Sequence, residues 1–277
     1  MIGPESQLWK ALELYGTRVH HRGKWRLHNW LLRKLKPACD RDFEVERMGQ
    51  RWLLNPSDFV QSSFYWTGEF EPWDWFHLSR LITPESIVFD VGANFGFYTV
   101  LIARKLTKGG RVLSFEPCAQ TLSRLRTNIR LNSLEPVTTV VPVALSNQRG
   151  YGYLENVSGN SGATALAATG ERIALNTLDD VCTEHSLKRV DIIKIDVEGH
   201  EMAVLEGAAR TIASCRPMML VEGNDVALRR SGASAEELAA KLRSWGYRLL
   251  VPNRRRLVPL SGFPPPTEIV NIFALPS

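Results

Sequence analysis

The chain of 277 residues is 44% hydrophobic and 23% charged, the composition of a globular protein with room for one large α/β core and a small appendage. No stretch approaches the roughly 18 consecutive apolar residues of a membrane-spanning helix. A net charge of +5 is too small to mark a dedicated nucleic-acid binder, so no nucleic-acid partner is expected.

The N-terminus lacks the basic start, apolar stretch and small-residue cleavage site of a secretory signal, which predicts a cytoplasmic protein. Cys39, Cys118, Cys182 and Cys215 form no Cys-x-x-Cys pair and read as reduced, structural cysteines. Residues 1–55 are expected to be a basic helical extension and 56–277 the main domain. In the first forty residues Lys10, Arg18, Arg22, Lys24, Arg26, Arg33, Lys34 and Lys36 face only Glu5, Glu13 and Asp40. The segment WRLHNWLLRKLK interleaves Trp and Leu with these bases. That pattern suits a basic amphipathic helix on a membrane surface or an acidic protein partner. The preferred reading is a helix that packs its Trp and Leu side on the main domain and turns its bases to water.

Residues 64–77 (FYWTGEFEPWDWFH) gather rings and acids. Trp66 and Glu69 there are candidates for holding a carbohydrate or polyhydroxylated acceptor, although Trp73, Phe76 and Arg80 at helical spacing also suit a helix packed on a sheet. Next come short β-branched runs, IVFDV (87–91), RVLSF (111–115), VTTVVPVAL (137–145), VDIIKIDV (190–197) and MMLVE (218–222), which predict buried strands. Helical periodicity over 97–106, 119–131, 178–187, 201–213 and 235–245 separates most of them. Strands alternating with helices imply a doubly wound parallel sheet with right-handed crossovers. The glycine-rich segment 146–177 reads as a long functional loop, with a small hairpin through YGYLENV. At the C-terminus 247–251 and 268–275 are strand-like, joined by NRRR and SGFPPP, and predict an antiparallel hairpin at the sheet edge.

Asp90 to Gly96 (DVGANFG) follows the first buried strand and opens a helix, where α/β sheets bind ligands. Gly92 and Gly96 would let the backbone turn and approach a cofactor. A dinucleotide loop wants Gly-x-Gly-x-x-Gly; here the middle glycine is missing and an acid precedes the loop. A carboxylate at Asp90 suits the cationic amino group of a methionine moiety and would repel a pyrophosphate, which favours S-adenosylmethionine over a dinucleotide. Glu116 ends the second strand and suits both hydroxyls of a ribose, yet before Pro117 it also suits a helix cap. Adenine would lie against Val143, Ala144, Leu145 and Ser146, a run that serves equally as strand core.

The fourth strand ends in KIDVEGHE. Methyl transfer to a hydroxyl needs alignment and removal of a proton. His200 is a candidate base, and Asp196 and Glu198 are candidates to orient the acceptor or act as base. Structural alternatives stand beside these roles: Glu201 suits complementing a helix dipole, Asp196 or Glu198 capping that helix, and Lys194 pairing with an acid. With Glu222 and Asp225 the acids could hold magnesium, but no metal-specific spacing is present and the metal-free reading is preferred.

Together Gly68-Glu69-Phe70-Glu71, DVGANFGFYT (90–99), Phe115-Glu116-Pro117, Leu178-Asp179-Asp180, IKIDVEGHE (193–201) and Asn271-Ile272-Phe273 resemble the FkbM family of S-adenosylmethionine-dependent methyltransferases over residues 60–275. The resemblance implies a class I, Rossmann-like methyltransferase fold whose seven-stranded sheet has an antiparallel last strand. It also implies O-methylation of sugars, polyketides or other natural products. On it, Asp90, Gly92, Asn94, Gly96 and Glu116 are cofactor residues, and Asp196, Glu198 and Glu201 fall in the family's motif at the active-site edge. With the reading of the residues themselves, Pro117, Ala144 and Asp196 join the cofactor candidates; Asp196, Glu198 and His200 are catalytic candidates; Trp66, Glu69, Glu201 and Glu222 are acceptor candidates. The first fifty residues lie outside the match and would be an acceptor cap, a homodimer arm or a membrane-proximal segment. The alternatives are N-methylation of a peptide or amino sugar, and a non-catalytic nucleotide-binding module that docks through its basic helix.

Overall fold

The computed structural model describes residues 3–19, 24–35, 39, 41–107, 109–155, 159–265 and 268–277. Arg22, Lys36, Asp40, the side chain of Trp25, Asn156 and Val157 of the YGYLENV segment, and Pro266 lie outside the described residues. The chain divides into two compact units, residues 1–71 with 157–162, and residues 72–156 with 163–277.

The first unit contains α1 (Gln7–Arg18), α2 (Lys24–Leu35), the antiparallel pair β1 (Phe43–Arg47) and β2 (Gln50–Leu54), and α3 (Phe59–Thr67). Ser6 starts α1 by accepting the Trp9 N–H on its hydroxyl, and Asp58 does the same for α3 at Gln61, as short polar residues do at helix N-termini. The core is aromatic. Trp9 lies 4.6 Å from Trp66 and 6.1 Å from Tyr65 between ring centroids, and its indole N–H donates to the Tyr65 hydroxyl at 3.1 Å. Arg47 locks the hairpin to both helices, donating to the Tyr65 carbonyl at 2.7 Å and to Glu13 at 2.6 Å.

Three expectations change here. The unit runs past residue 55 to residue 71 and carries a hairpin as well as helices, because β2 and α3 share the aromatic core. Trp66, expected to meet an acceptor, is 1% exposed within that core. And α2 buries its Trp and Leu side only in part: Leu31, Leu32 and Leu35 are half-buried, but Trp30 is 54% and Leu27 42% exposed, while His28 and Lys24 point inward.

The second unit is the predicted doubly wound α/β layer. It comprises α4 (Pro72–Leu81), β3 (Ile87–Val91), α5 (Phe97–Ala103), β4 (Arg111–Phe115), α6 (Ala119–Leu131), β5 (Thr138–Val141), β6 (Ala144–Leu145), β7 (Gly150–Glu155), β8 (Ala165–Ala167), β9 (Glu171–Asn176), α7 (Leu178–Glu184), β10 (Ile192–Ile195), α8 (Glu201–Glu206), α9 (Ala209–Cys215), β11 (Met218–Gly223), α10 (Asp225–Arg230), α11 (Ala235–Ser244), β12 (Tyr247–Asn253), β13 (Arg256–Pro259) and β14 (Val270–Pro276). The main sheet has the order β13-β12-β14-β11-β10-β3-β4-β5, and β11-β10-β3-β4-β5 are mutually parallel. The Val, Ile and Leu side chains of β4, β10 and β11, and of β3 after Ile87, are buried on both faces, which is why these strands are continuous apolar runs; β5, at the edge, is half-buried.

The expected edge hairpin is rearranged. β14 does pair antiparallel with β12, but it lies between β12 and β11. The outer strand is β13, an eighth strand folded back on β12 through Arg254, whose φ of 53° makes the turn. The expected run 137–145 breaks at Pro142 into β5 and β6, since proline offers no ladder N–H. The expected long loop is mostly a second sheet, β6-β9-β7-β8. In β7 Leu154 points in while Tyr151 and Tyr153 point out. The helix expected over 201–213 breaks after Glu206, giving α8 and α9. The packing alternative for α4 falls on other residues: His77 and Leu78 are its buried side chains, whereas Trp73 and Arg80 are exposed and meet Phe76 along the helix's own surface, the rings edge-on at 6.3 Å and Arg80 5.3 Å over Phe76.

Among the described residues no helix is long and apolar enough to cross a membrane, and the four cysteines are free thiols, Cys118 and Cys182 buried.

Candidate active site

The parallel register places the C-terminal ends of β3, β4, β10 and β11 side by side, with Asp90 opposite Lys194. That edge carries the 90–96 loop, Glu116, the 196–201 loop and Glu222. Two glycines are demanded by geometry. Gly92 has φ +78°, and a Cβ there would stand 1.8 Å from the Asp196 carbonyl oxygen; Gly96 has φ +93° and a Cβ would press Leu125 at 2.7 Å. The loop is further pinned by the Gly92 and Ala93 N–H groups, which donate to the Phe115 carbonyl at 3.1 and 3.0 Å. The buried Asn128 amide donates to the Phe95 carbonyl at 2.8 Å.

Of the two roles expected of Glu116, the structure displays the helix cap. Its carboxylate accepts the Asn94 N–H at 2.8 Å and the Cys118 N–H at 2.9 Å, one on each oxygen, so it ties the glycine loop to the start of α6. Burial raises its pKa, and the hydrogen bonds from Thr121, Cys118 and Asn94 oppose that. Asn94 holds φ 50°, and its Oδ1 is buried with no hydrogen-bond partner among the described residues. Pro117 follows half-buried, and Ala144 packs against Cys118, Leu154 and Ile173.

Asp90 has no exposed surface. Its Oδ2 accepts the Thr99 hydroxyl at 2.6 Å, and Thr99 shares a 2.8 Å hydrogen bond with Ser114. Lys194 lies 3.9 Å from Asp90 Oδ1 and 3.0 Å from Asp196 Oδ2, and it donates to the Gly92 carbonyl at 3.1 Å. One nearly buried ammonium therefore joins the strand acid, the glycine loop and the first acid of the 196–201 loop. Burial raises the Asp90 pKa; Lys194 and Thr99 are what hold the charged form. Thr99, Ser114 and Asn128 were not picked out from sequence. The available signal was polar residues inside otherwise apolar segments, which must find a partner when buried.

The acids at the ends of β10 and β11 separate into two kinds. Asp196, Glu198 and Glu222 each offer a carboxylate oxygen, all within 4.8 Å of one another, a set able to accept acceptor hydroxyls or to ligate a divalent cation. Glu198 has φ 52°. Burial first, and then the charges of Asp196 and Glu201, push its pKa up to about 8, so it is a group that exchanges a proton near neutrality. Glu201 is not an acceptor residue. It is 0% exposed, and its Oε1 accepts the Val197 and Gly199 N–H groups at 3.1 Å each, capping α8. Burial pushes its pKa up to about 7. Asp225 also turns inward, holding the Ala235 N–H at 2.9 Å and Arg229 at 2.7 Å. His200 Nε2 is 3.0 Å from the Ser146 hydroxyl, and burial lowers its pKa. That contact ties the 196–201 loop to the end of β6. Glu69, in the N-terminal unit, lies half-buried in the turn after α3, its N–H held by Thr67 Oγ1 at 3.1 Å.

Residues 90–249 match the model of the methyltransferase FkbM domain, more than half of the chain. The chain belongs to the FkbM methyltransferase family. Its methyl donor is S-adenosylmethionine, and the glycine cradle, the two-sided Glu116 and the open acceptor of Asn94 are suited to it. Similar curated proteins include the AMB antimetabolite synthetase AmbE of Pseudomonas aeruginosa, 28% identical over 215 residues, which cover 62% of this chain and 10% of that protein. The hexuronic acid methyltransferase AglP of Haloferax volcanii is 28% identical over 143 residues, 49% of this chain and 56% of that one. The 31-O-demethyl-FK506 methyltransferase FkbM of Streptomyces tacrolimicus is 28% identical over 201 residues, 60% of this chain and 74% of that one. The chain thus spans a tenth of the first relative and little more than half of the second.

Proposed function

We propose that this FkbM-family chain transfers the methyl group of S-adenosylmethionine to a hydroxyl of a sugar, glycoconjugate or polyketide-type natural product. The observation that carries the reading is the meeting of Asp196, Glu198 and Glu222, their oxygens within 4.8 Å, at the strand ends beside Gly92. Bound S-adenosylmethionine supplies a methyl carbon made electrophilic by the sulfonium. On the protein side, Asp196 and Glu222 accept hydrogen bonds from the acceptor and orient it, and Glu198 takes the hydroxyl proton as the oxygen–carbon bond forms. The names of two relatives, one for a hexuronic acid and one for 31-O-demethyl-FK506, support a polyhydroxylated acceptor.

The carboxylates also weigh against an amine. Clustered anions stabilise an ammonium in its protonated form, which has no lone pair to offer, whereas a neutral hydroxyl keeps its lone pairs and loses its proton to the base only as it attacks. A panel of sugars, glycosides, macrocyclic alcohols and amines with methyl-labelled cofactor tests this. Label on an oxygen supports the reading. Label on nitrogen alone replaces it with N-methylation, and cofactor binding without any product marks a non-catalytic module. Activity that chelation abolishes and magnesium restores would reassign the three carboxylates to a cation.

A further inference from the structure

Helix α2 buries two polar side chains and leaves a tryptophan and a leucine exposed. A surface helix ordinarily turns its apolar stripe to the core. Here the inward side carries His28, 0% exposed and stacked on Tyr15 with centroids 6.0 Å apart, and Lys24, 5% exposed, in line with half-buried Leu31 and Leu35. The outward side carries Leu27 and Trp30, 42% and 54% exposed. Positions 27 and 30 lie on one face at three-residue spacing. Arg26, Arg33 and Lys34, all exposed, flank it, and among the described residues none of the three enters an ion pair.

We infer that this face of α2 is a docking surface for an anionic lipid bilayer. Tryptophan and leucine between cations is the chemistry of the membrane interface: the indole and isobutyl groups enter the acyl boundary while Arg and Lys meet phosphates. A second copy of the chain fits less well, because a two-fold contact through one patch would set the three cations against their own copies. The surface lies wholly within the N-terminal unit and uses none of the residues of the methyl-transfer site.

The test is co-sedimentation of the full chain with phosphatidylcholine vesicles, with and without phosphatidylglycerol. The expected result is retention by the phosphatidylglycerol vesicles only, weakening as salt rises. Replacing both Arg33→Gln and Lys34→Gln is expected to lower partitioning about 30-fold, from the loss of two interfacial cations. Trp30→Ser alone is expected to weaken it at unchanged melting temperature and unchanged methyl transfer to a free acceptor. The inference is overturned if neither vesicle retains the chain, if both retain it equally, or if the variants bind as the wild type does. It is also overturned if binding is absent and Trp30→Ser instead dissociates a homodimer or the complex with an acidic protein, which would make the face a protein interface.

Discussion

Glu198 and Lys194 are the two side chains whose surroundings dictate the most specific consequences. Glu198 reaches a pKa of about 8 because burial and the neighbouring Asp196 and Glu201 disfavour its charge. A base must be deprotonated to act, so kcat/KM is expected to rise through about pH 8 and level off above it. Glu198→Gln is expected to lower kcat by about a hundred- to ten-thousand-fold, to remove that rising limb, and to leave S-adenosylmethionine affinity unchanged by calorimetry. Lys194 makes the converse prediction. Lys194→Met leaves Asp90 buried without its counter-ion, which costs about 3–5 kcal/mol in chemical unfolding. Adding Asp90→Asn is expected to restore part of that loss, since the two residues form one interaction. A full-sized loss in each single variant with no recovery in the double would mean that Lys194 does not act through Asp90.

At the scale of elements, the sheet edge works because the 90–96 and 196–201 loops are interlocked. Gly92→Ala would drive a methyl into the Asp196 carbonyl at a backbone φ of +78°. The expected outcome is loss of measurable S-adenosylmethionine binding together with a lowered melting temperature; retained binding would contradict the interlock. The core strands were legible in the sequence because parallel strands buried on both faces become unbroken runs such as IVFDV and RVLSF. The glycine loop was legible because it stands directly between such a strand and a helix. β13 was not, since a turn of arginines carries no apolar pattern. β7 was anticipated in the YGYLENV hairpin, but β8 and β9 were obscured by glycines that read as loop. The direction of buried acids was the other blind spot: Asp90, Glu201 and Glu222 are all carboxylates at strand ends or helix starts, and only the fold shows that Asp90 and Glu201 serve the protein's own backbone and lysine. Trp66 was misread for a related reason, because an aromatic residue suits a core and a sugar equally well. In α2 the periodicity disclosed two faces without saying which would be turned inward.

For the molecule as a whole, the proposed catalytic groups Asp196, Glu198 and Glu222 all belong to the α/β unit, while the N-terminal unit contributes an aromatic core of its own and the exposed face of α2. Binding of S-adenosylmethionine to the folded state alone is expected to stabilise the chain by about 2.7 kcal/mol at a hundred times the dissociation constant, read as a rise in melting temperature. No rise at saturating cofactor would contradict the assignment of the strand-end cleft. The central claim, O-methyl transfer through the Asp196–Glu198–Glu222 group, is tested most directly by mass spectrometry of hydroxylated acceptors after incubation with S-adenosylmethionine, comparing wild type with Glu198→Gln. The account predicts a product one methyl heavier, with the methyl on oxygen, formed by the wild type and nearly absent with the variant. A product methylated on nitrogen, or equal oxygen methylation by both proteins, would contradict it.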